Sequence, residues 1–230
     1  MRVIGCVRSF LYGEKWCENM KTATLETTLE TKDLVIRPSR WDDLVLFDRW
    51  ERDPAVTEFF SIGDGQTMEE VTRKYIADEE NPQAAQFTIC LKGRAECPED
   101  QPSRSEGQPG GEQEKPIGRI VMADIEEGWK AELWRIYIAD TELRGRGLGK
   151  QAMLAVMELC FDQWGLERLY LDHYTGNPAS YLYLSLGFRY EGVLRKNCRK
   201  NGILHDVHLM SMLREEYNAL YAEENERKGE

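Results

Sequence analysis

Apolar and polar positions change period repeatedly along the chain, and the order of those periods predicts an α/β arrangement. In DLVIRPSRWDDLVLFDRWERDP, residues 33–54, Leu34 and Ile36 alternate with Arg37 as in a short strand. Asp42 and Asp43 then open a helix bearing Leu44, Leu46, Phe47 and Trp50, which Pro54 is expected to close. TMEEVTRKYIAD predicts a second helix, with Thr67 as its cap and Glu70 three residues on, the spacing of a reciprocal capping box. QFTICLK and PIGRIVMADI are rich in β-branched and aromatic residues and read as strands.

ELWRIYIAD is the strongest strand, and GKQAMLAVMELCFDQWGLERL the strongest helix, with Met153, Val156, Met157, Cys160 and Trp164 at three- and four-residue steps. A strand RLYLDHY, a short helix NPASYLYLSLGF and the strand pair FRYEGVLRKNCRKNGILHDVHLMSML complete the pattern, the last turning at Asn201-Gly202. Strand, two helices, strand hairpin, long strand, helix, strand, helix and strand hairpin imply an α/β domain whose mixed central β-sheet is flanked by helices.

The domain is expected over 32–217, after a poorly ordered N-terminal extension, 1–31, and before a charged C-terminal tail, 218–230. Residues 93–116 are dominated by Gly, Pro, Glu, Gln and Ser without apolar periodicity. They cannot bury enough surface to offset the entropy of ordering, so a disordered hairpin insertion is expected. Met20 begins MKTATLETT and is a candidate start that makes residues 1–19 dispensable. Arg8 interrupts the mildly apolar beginning, no small-residue cleavage site follows, and no apolar run is long enough to span a bilayer. A cytoplasmic protein without a membrane partner is expected.

Charge narrows the function classes. A formal net charge of -11 argues against nucleic-acid binding, which needs a basic face to neutralise phosphates. It suits a cationic substrate, and equally a chain kept soluble by its acidity. The six cysteines form no CxxC pair, and His205 and His208, three apart in a strand, point to opposite faces, so no metal site is expected.

The candidate chemistry lies in ELRGRGLGKQAM, residues 142–153, between the strongest strand and the strongest helix. A nucleotide P-loop needs G-x-x-x-x-G-K-[ST], but Gln151 follows Lys150 and Arg144 occupies the first glycine position. The dinucleotide fingerprint G-x-G-x-x-G fails on spacing, since Gly145, Gly147 and Gly149 stand two apart. What remains is a turn whose glycines admit an anion to backbone amides while the next helix aims its free N–H groups at it.

Arg144-Gly145-Arg146-Gly147-Leu148-Gly149 fits [Q/R]-x-x-G-x-[G/A] and resembles the coenzyme A pyrophosphate turn of the GNAT superfamily of N-acetyltransferases. NPASYLYLSLGF followed by RYEG is similar to that family's Asn-initiated helix ending in Y-x-x-x-G-F. The resemblance covers roughly residues 33–217, the insertion excepted. DPAVTEFF, the hairpin and LMSMLREEY look most like the RimJ/RimL branch, which includes ribosomal-protein and polyamine acetyltransferases. The family's helix runs one residue longer between its Asn and its Leu-Tyr pair; counting from Gly187 favours Tyr183 as the matching tyrosine and weakens Asn177, with Tyr181 and Tyr190 as nearby competitors.

The resemblance implies a GNAT fold and acetyl-CoA as co-substrate, with no metal. Glu132, six residues before the end of the long strand, is the implied general base, with a surface glutamate paired to a cation as the alternative. Tyr183 is the implied general acid toward the thiolate, and a packed core aromatic is its alternative. Backbone groups of Ile136, Tyr137 and Ile138 are implied to pair with the pantetheine arm. Arg144, Gly145, Arg146, Gly147, Leu148, Gly149 and Lys150 would hold the phosphates, and Asn177 would touch the pantetheine or cap the helix that Pro178 begins. The expected acceptor is a small-molecule amine such as a polyamine, drawn by acids such as Asp53, Glu58 and Asp64. Acetylation of a protein N-terminus, a non-catalytic acetyl-CoA sensor or scaffold, and a homodimer stay open.

Overall fold

β-Branched and aromatic runs pair into one eight-stranded sheet in a computed structural model that describes residues 27–60, 66–93 and 114–228. Strands β1 (Leu29–Glu30) and β2 (Leu34–Pro38) come first, and a single 3-10 turn, Trp41–Asp43, leads into α1 (Leu44–Glu51). Helices α2 (Pro54–Thr57) and α3 (Met68–Glu80) precede β3 (Ala85–Leu91), β4 (Lys115–Glu126) and β5 (Lys130–Ile138). Helix α4 (Leu148–Glu158) ends in a wider π turn, Leu159–Gln163, and is followed by β6 (Arg168–Tyr174), α5 (Ala179–Ser185), β7 (Arg189–Lys200), β8 (Ile203–Leu213) and α6 (Arg214–Lys228). The strand order is β1-β2-β3-β4-β5-β6-β8-β7. This is the mixed sheet flanked by helices that the residue periods imply.

Local chemistry explains the element ends. The Thr67 hydroxyl accepts the Glu70 N–H while the Glu70 carboxylate accepts the Thr67 N–H at 2.7 Å, the expected capping box. Asn201 and Gly202 take φ of 49° and 81°, the left-handed pair of a tight hairpin turn. Pro54 does not simply close α1. The Asp53 carboxylate accepts from the Ala55 N–H at 2.9 Å and Pro54 becomes the first residue of α2, where its fixed φ suits a helix start.

Three boundaries shift. Leu29 pairs with Ile36, so the sheet begins inside the segment expected to be an extension. Lys115 and Pro116 pair with Leu91 and Cys90, so the insertion is shorter than 93–116. Helix α6 runs through the expected tail. The disorder expected of 94–113 and the start at Met20 lie outside the described residues. No described helix is long and apolar enough to cross a membrane.

Helix α4 packs Leu148, Ala152, Met153, Val156 and Met157 against inward residues of the sheet, including Leu34, Ile36, Ile89, Ile120, Met122 and Leu169. Gln151, the residue that breaks the P-loop pattern, ties the first turn of α4 to the β1–β2 turn: its carbonyl accepts from the Thr31 hydroxyl and the Asp33 N–H, and its amide donates to the Asp33 carboxylate.

One pairing is exceptional. β5 and β6 run parallel, but only Lys130–Glu132 pair with Arg168–Tyr170. Beyond that register the strands part. The edge of β5 from Leu133 onward therefore has no strand partner on the β6 side, and the wedge between the two strands is where the site forms.

Candidate active site

A cavity of about 630 Å³ occupies that wedge, within the range of small-molecule pockets. It runs from the glycine turn, past Leu133–Ile138 on one wall and Asp172 and Tyr174 on the other, to a far end bounded by residues 58–60 and by Asn197 and Cys198 of β7. The turn is built as its sequence demands. Gly145 and Gly147 adopt φ of 75° and 79°, a region costly for side-chain-bearing residues, and a Cβ on either would meet open space. Gly147 thus caps α4 without a side chain in the way, and the first residues of α4, Leu148 and Gly149, line the cavity.

Most of the expected residues converge here. Ile136, Tyr137, Ile138, Arg144, Gly145, Gly147, Leu148, Gly149, Asn177 and Tyr183 all line the cavity. Arg146 and Lys150 do not; both are exposed beside it. Arg144 donates to the Ala55 carbonyl at 2.6 Å and so holds α2 over the cavity. The Asn177 carbonyl accepts from the Ala179 N–H at 2.9 Å, so Asn177 caps α5 and lines the cavity at once.

Tyr183 has its ring in the main core, 6.1 Å from the ring of Phe188 and 6.2 Å from that of His173, and still reaches the cavity. Burial, and then the charge of Asp172, push its pKa up to about 12. The phenol stays protonated at any working pH. The core alternative and the cavity placement are therefore both satisfied.

Glu132 sits at the vertex of the wedge, opposite Tyr170 in register, and is not among the lining residues. Two carboxylates do line the cavity, Glu58 at its far end and Asp172 on the β6 wall, and the second is one that sequence reasoning missed. Burial, followed by the charges of Asp172 and Asp124, raises the Glu132 pKa to about 7, and burial raises that of Asp172. The surface-pair alternative for Glu132 has a concrete counterpart: Lys130 forms its ion pairs with Asp124 at 2.5 Å and Glu126 at 3.0 Å, and its charge only partly offsets the rise at Glu132.

Behind the β5 wall lies a buried ionic cluster. The Glu51 carboxylate accepts from Arg119 at 2.7 Å, Arg135 at 2.5 Å and the Tyr137 hydroxyl at 3.2 Å, with both arginines almost fully buried. Arg119 also donates to Gln86 and stacks 4.3 Å over Phe47. Burial would raise the Glu51 pKa, but Arg135 and Arg119 hold it below the usual carboxylate range. The cluster fixes α1, and with it α2, to the back of β5. Val56 and Phe60 complete this packing against Tyr137, the Phe60 and Tyr137 rings 5.8 Å apart.

A sheet splayed at one parallel pair, a glycine turn feeding a helix start at the splay and the phenol of Tyr183 thus border one cleft. A family model described as an acetyltransferase (GNAT) domain matches residues 33–189, and the chain belongs to that family. It is an N-acetyltransferase. Among solved structures, a spermidine N-acetyltransferase from Vibrio cholerae in complex with CoA and spermine is similar at 21% identity and a TM-score of 0.66, covering 81% of this chain and 99% of that one. A GCN5-related N-acetyltransferase from Brucella melitensis is similar at 18% identity and 0.63, covering 84% and 81%. A GNAT-family acetyltransferase from Bacillus anthracis gives 19% identity and 0.63, covering 83% and 100%. At these identities the likeness is one of fold.

Proposed function

We propose that this enzyme transfers an acetyl group from acetyl-CoA directly to the primary amine of a slender cationic small molecule such as a polyamine. The observation that carries the reading is the continuity of the cavity from the glycine turn, past Asp172 on its wall, to a far end lined by Glu58 and the aromatic Phe59 and Phe60. Anionic phosphates are suited to the first end and an ammonium to the second.

In this reading the pyrophosphate rests on the amides of Gly145–Gly149, with Arg144 alongside and Arg146 and Lys150 adding long-range attraction. The pantetheine arm follows the unpaired edge of β5 at Ile136–Ile138, bonding main chain to main chain as an added strand would. An amide on that edge meets the thioester oxygen as it becomes an oxyanion. The Asn177 amide group stands beside the arm.

The acceptor arrives as an ammonium, since alkyl amines have a pKa of about 10.4. Asp172 attracts it. Glu132, with a pKa of about 7, is the proton sink behind Asp172 and is ionised often enough at neutral pH to act as base. The freed lone pair attacks the thioester carbon, the oxyanion collapses, and the C–S bond breaks. Tyr183 donates a hydrogen bond to the departing sulfur. With a phenol pKa of about 12 against about 8.5 for a thiol, complete transfer is uphill. The proton left on the amide-forming nitrogen is the one that neutralises the thiolate, and Tyr183 lowers the barrier by sharing its own.

Coenzyme A release measured in parallel against polyamines, amino sugars, aminoglycosides and N-terminal peptides tests the reading. Turnover highest with polyamines is expected. A response to peptides alone overturns it in favour of protein N-terminal acetylation, and acetyl-CoA binding without thiol release on any amine favours a sensor.

A further inference from the structure

β7 exposes eleven of its twelve residues wholly or in part, yet its last residue, Lys200, is buried at 9% exposure while the apolar Ile203 and Leu204 across the turn are 63% and 44% exposed. Lysine is among the residues least often buried, so this inversion needs a cause. The cause is a bond: the Lys200 ammonium donates to the carbonyl of Thr57, the last residue of α2, itself buried. A long-range tie thus joins the tip of the β7–β8 hairpin to the helix that roofs the cavity.

The two tied elements are walls of the acceptor end. Directly after Thr57 come Glu58, Phe59 and Phe60, and along the hairpin stand Asn197, Cys198 and Val207, all lining the cavity. The same short helix is held on its other side by Arg144 through Ala55. A four-residue helix has little cohesion of its own, so its position depends on these two side-chain ties together with the packing of Val56 on Tyr137. An acceptor that is a single slender chain can enter end-on beneath this roof. A polypeptide, which has side chains and must continue away from its reacting amine, has to part the roof from the hairpin where Lys200 holds them together.

We propose that Lys200 is a specificity-determining residue: by tying the β7–β8 hairpin to α2 it closes the acceptor end to peptides and leaves it open to slender amines. This rests on the reading that the far end of the cavity receives the acceptor.

The experiment compares the full chain with Lys200→Met, which keeps the aliphatic stem and removes the donor, and with Lys200→Arg, which keeps a donor. Lys200→Gln, too short to reach Thr57, is the second variant should Lys200→Met fail to fold. Two ratios are read. The first is kcat/KM for an N-terminal hexapeptide over that for spermidine, expected to rise by about tenfold or more in Lys200→Met and to return toward wild type in Lys200→Arg. The second is the labelling rate of Cys198, followed by peptide mass, with a bulky maleimide over that with iodoacetamide, expected to rise about fivefold because the roof lifts from the hairpin. An unchanged labelling ratio overturns the tie. A raised labelling ratio with an unchanged kcat/KM ratio overturns the role in specificity. Absence of turnover with both acceptors in wild type overturns the acceptor reading itself, and labelling still decides whether Lys200 closes the cavity.

Discussion

Asp172 stands two residues along β6 from Tyr170, the register partner of Glu132, so the two acids share one face of the sheet where the strands part and the charge of one acts on the other. Burial and then the Asp172 charge lift Glu132 to a pKa of about 7. If Glu132 is the proton sink, kcat/KM carries an acidic limb near neutrality. Glu132→Gln should lower kcat/KM by about 10²-fold or more and abolish that limb. Asp172→Asn, by removing a neighbouring negative charge, should move the limb to lower pH and raise KM for cationic amines more than for neutral ones. A limb that persists unchanged in Glu132→Gln removes Glu132 from the mechanism.

The same shift has a stability consequence of opposite sign to that of most carboxylates. A folded pKa above the unfolded value of about 4.5 means that the folded state binds more protons between pH 4.5 and 7, so this group's contribution falls as pH rises through that window. Glu132→Gln should therefore stabilise the protein at pH 8 by on the order of 1–3 kcal/mol and leave it nearly unchanged at pH 4. Urea midpoints at the two pH values check this; an equal effect at both counts against a buried, destabilised carboxylate.

Tyr183→Phe keeps the ring that packs on Phe188 and removes the hydroxyl. Turnover should fall by about 10–10³-fold while the Kd for acetyl-CoA changes less than about threefold, because the lost bond forms as the sulfur acquires charge. An equal loss of affinity and turnover would make Tyr183 a binding residue only. Thermal stability should be nearly unchanged, since the packed ring is kept.

What could be read along the chain was local. The capping box of Thr67 and Glu70 and the hairpin step Asn201-Gly202 depend on neighbours within four residues, and both form as expected. The family motifs carried the turn and Tyr183. Asp172 looked like any polar residue of an alternating strand, and only the parting of β5 from β6 turns it toward a cavity. Arg119 and Arg135 interrupt apolar runs on inward-facing positions, a signal that a buried anion must exist, yet its source, Glu51, lies on a helix far earlier in the chain. Pro54 is ambiguous for the opposite reason: a proline can stop one helix and start the next, and only the Asp53 cap tells the two apart.

The three glycines of the turn should respond differently to alanine. Gly147 has φ of 79°, so Gly147→Ala forces a left-handed alanine, costing about 1 kcal/mol of stability and weakening acetyl-CoA binding by distorting the turn. Gly145→Ala should behave alike. Gly149 has an ordinary helical φ, and a Cβ there would meet only Leu182 at 3.7 Å, an ordinary contact. Gly149→Ala should leave the melting temperature unchanged or slightly raised. Calorimetric Tm values and acetyl-CoA titrations of the three variants test the ranking, and an equal loss at all three would refute the conformational explanation.

The Glu51 cluster yields the largest expected stability effect. One carboxylate compensates two buried guanidinium groups, so Glu51→Gln leaves both charges buried and only a weak acceptor between them. Removing one partner of a buried ion pair typically costs about 3–5 kcal/mol. Since α1 carries Glu51 and leads into the roof helix α2, part of that loss should appear as weaker acceptor binding even in molecules that remain folded. The pH dependence follows from the lowered Glu51 pKa: the folded state holds the ionised form more tightly than the unfolded chain, so the contribution is complete above about pH 4.5 and disappears as pH falls through the lower, folded value. The difference in unfolding free energy between wild type and Glu51→Gln should thus be largest at neutral pH and shrink on acidification. A difference below about 1 kcal/mol at pH 7 would show that the arginines find other compensation.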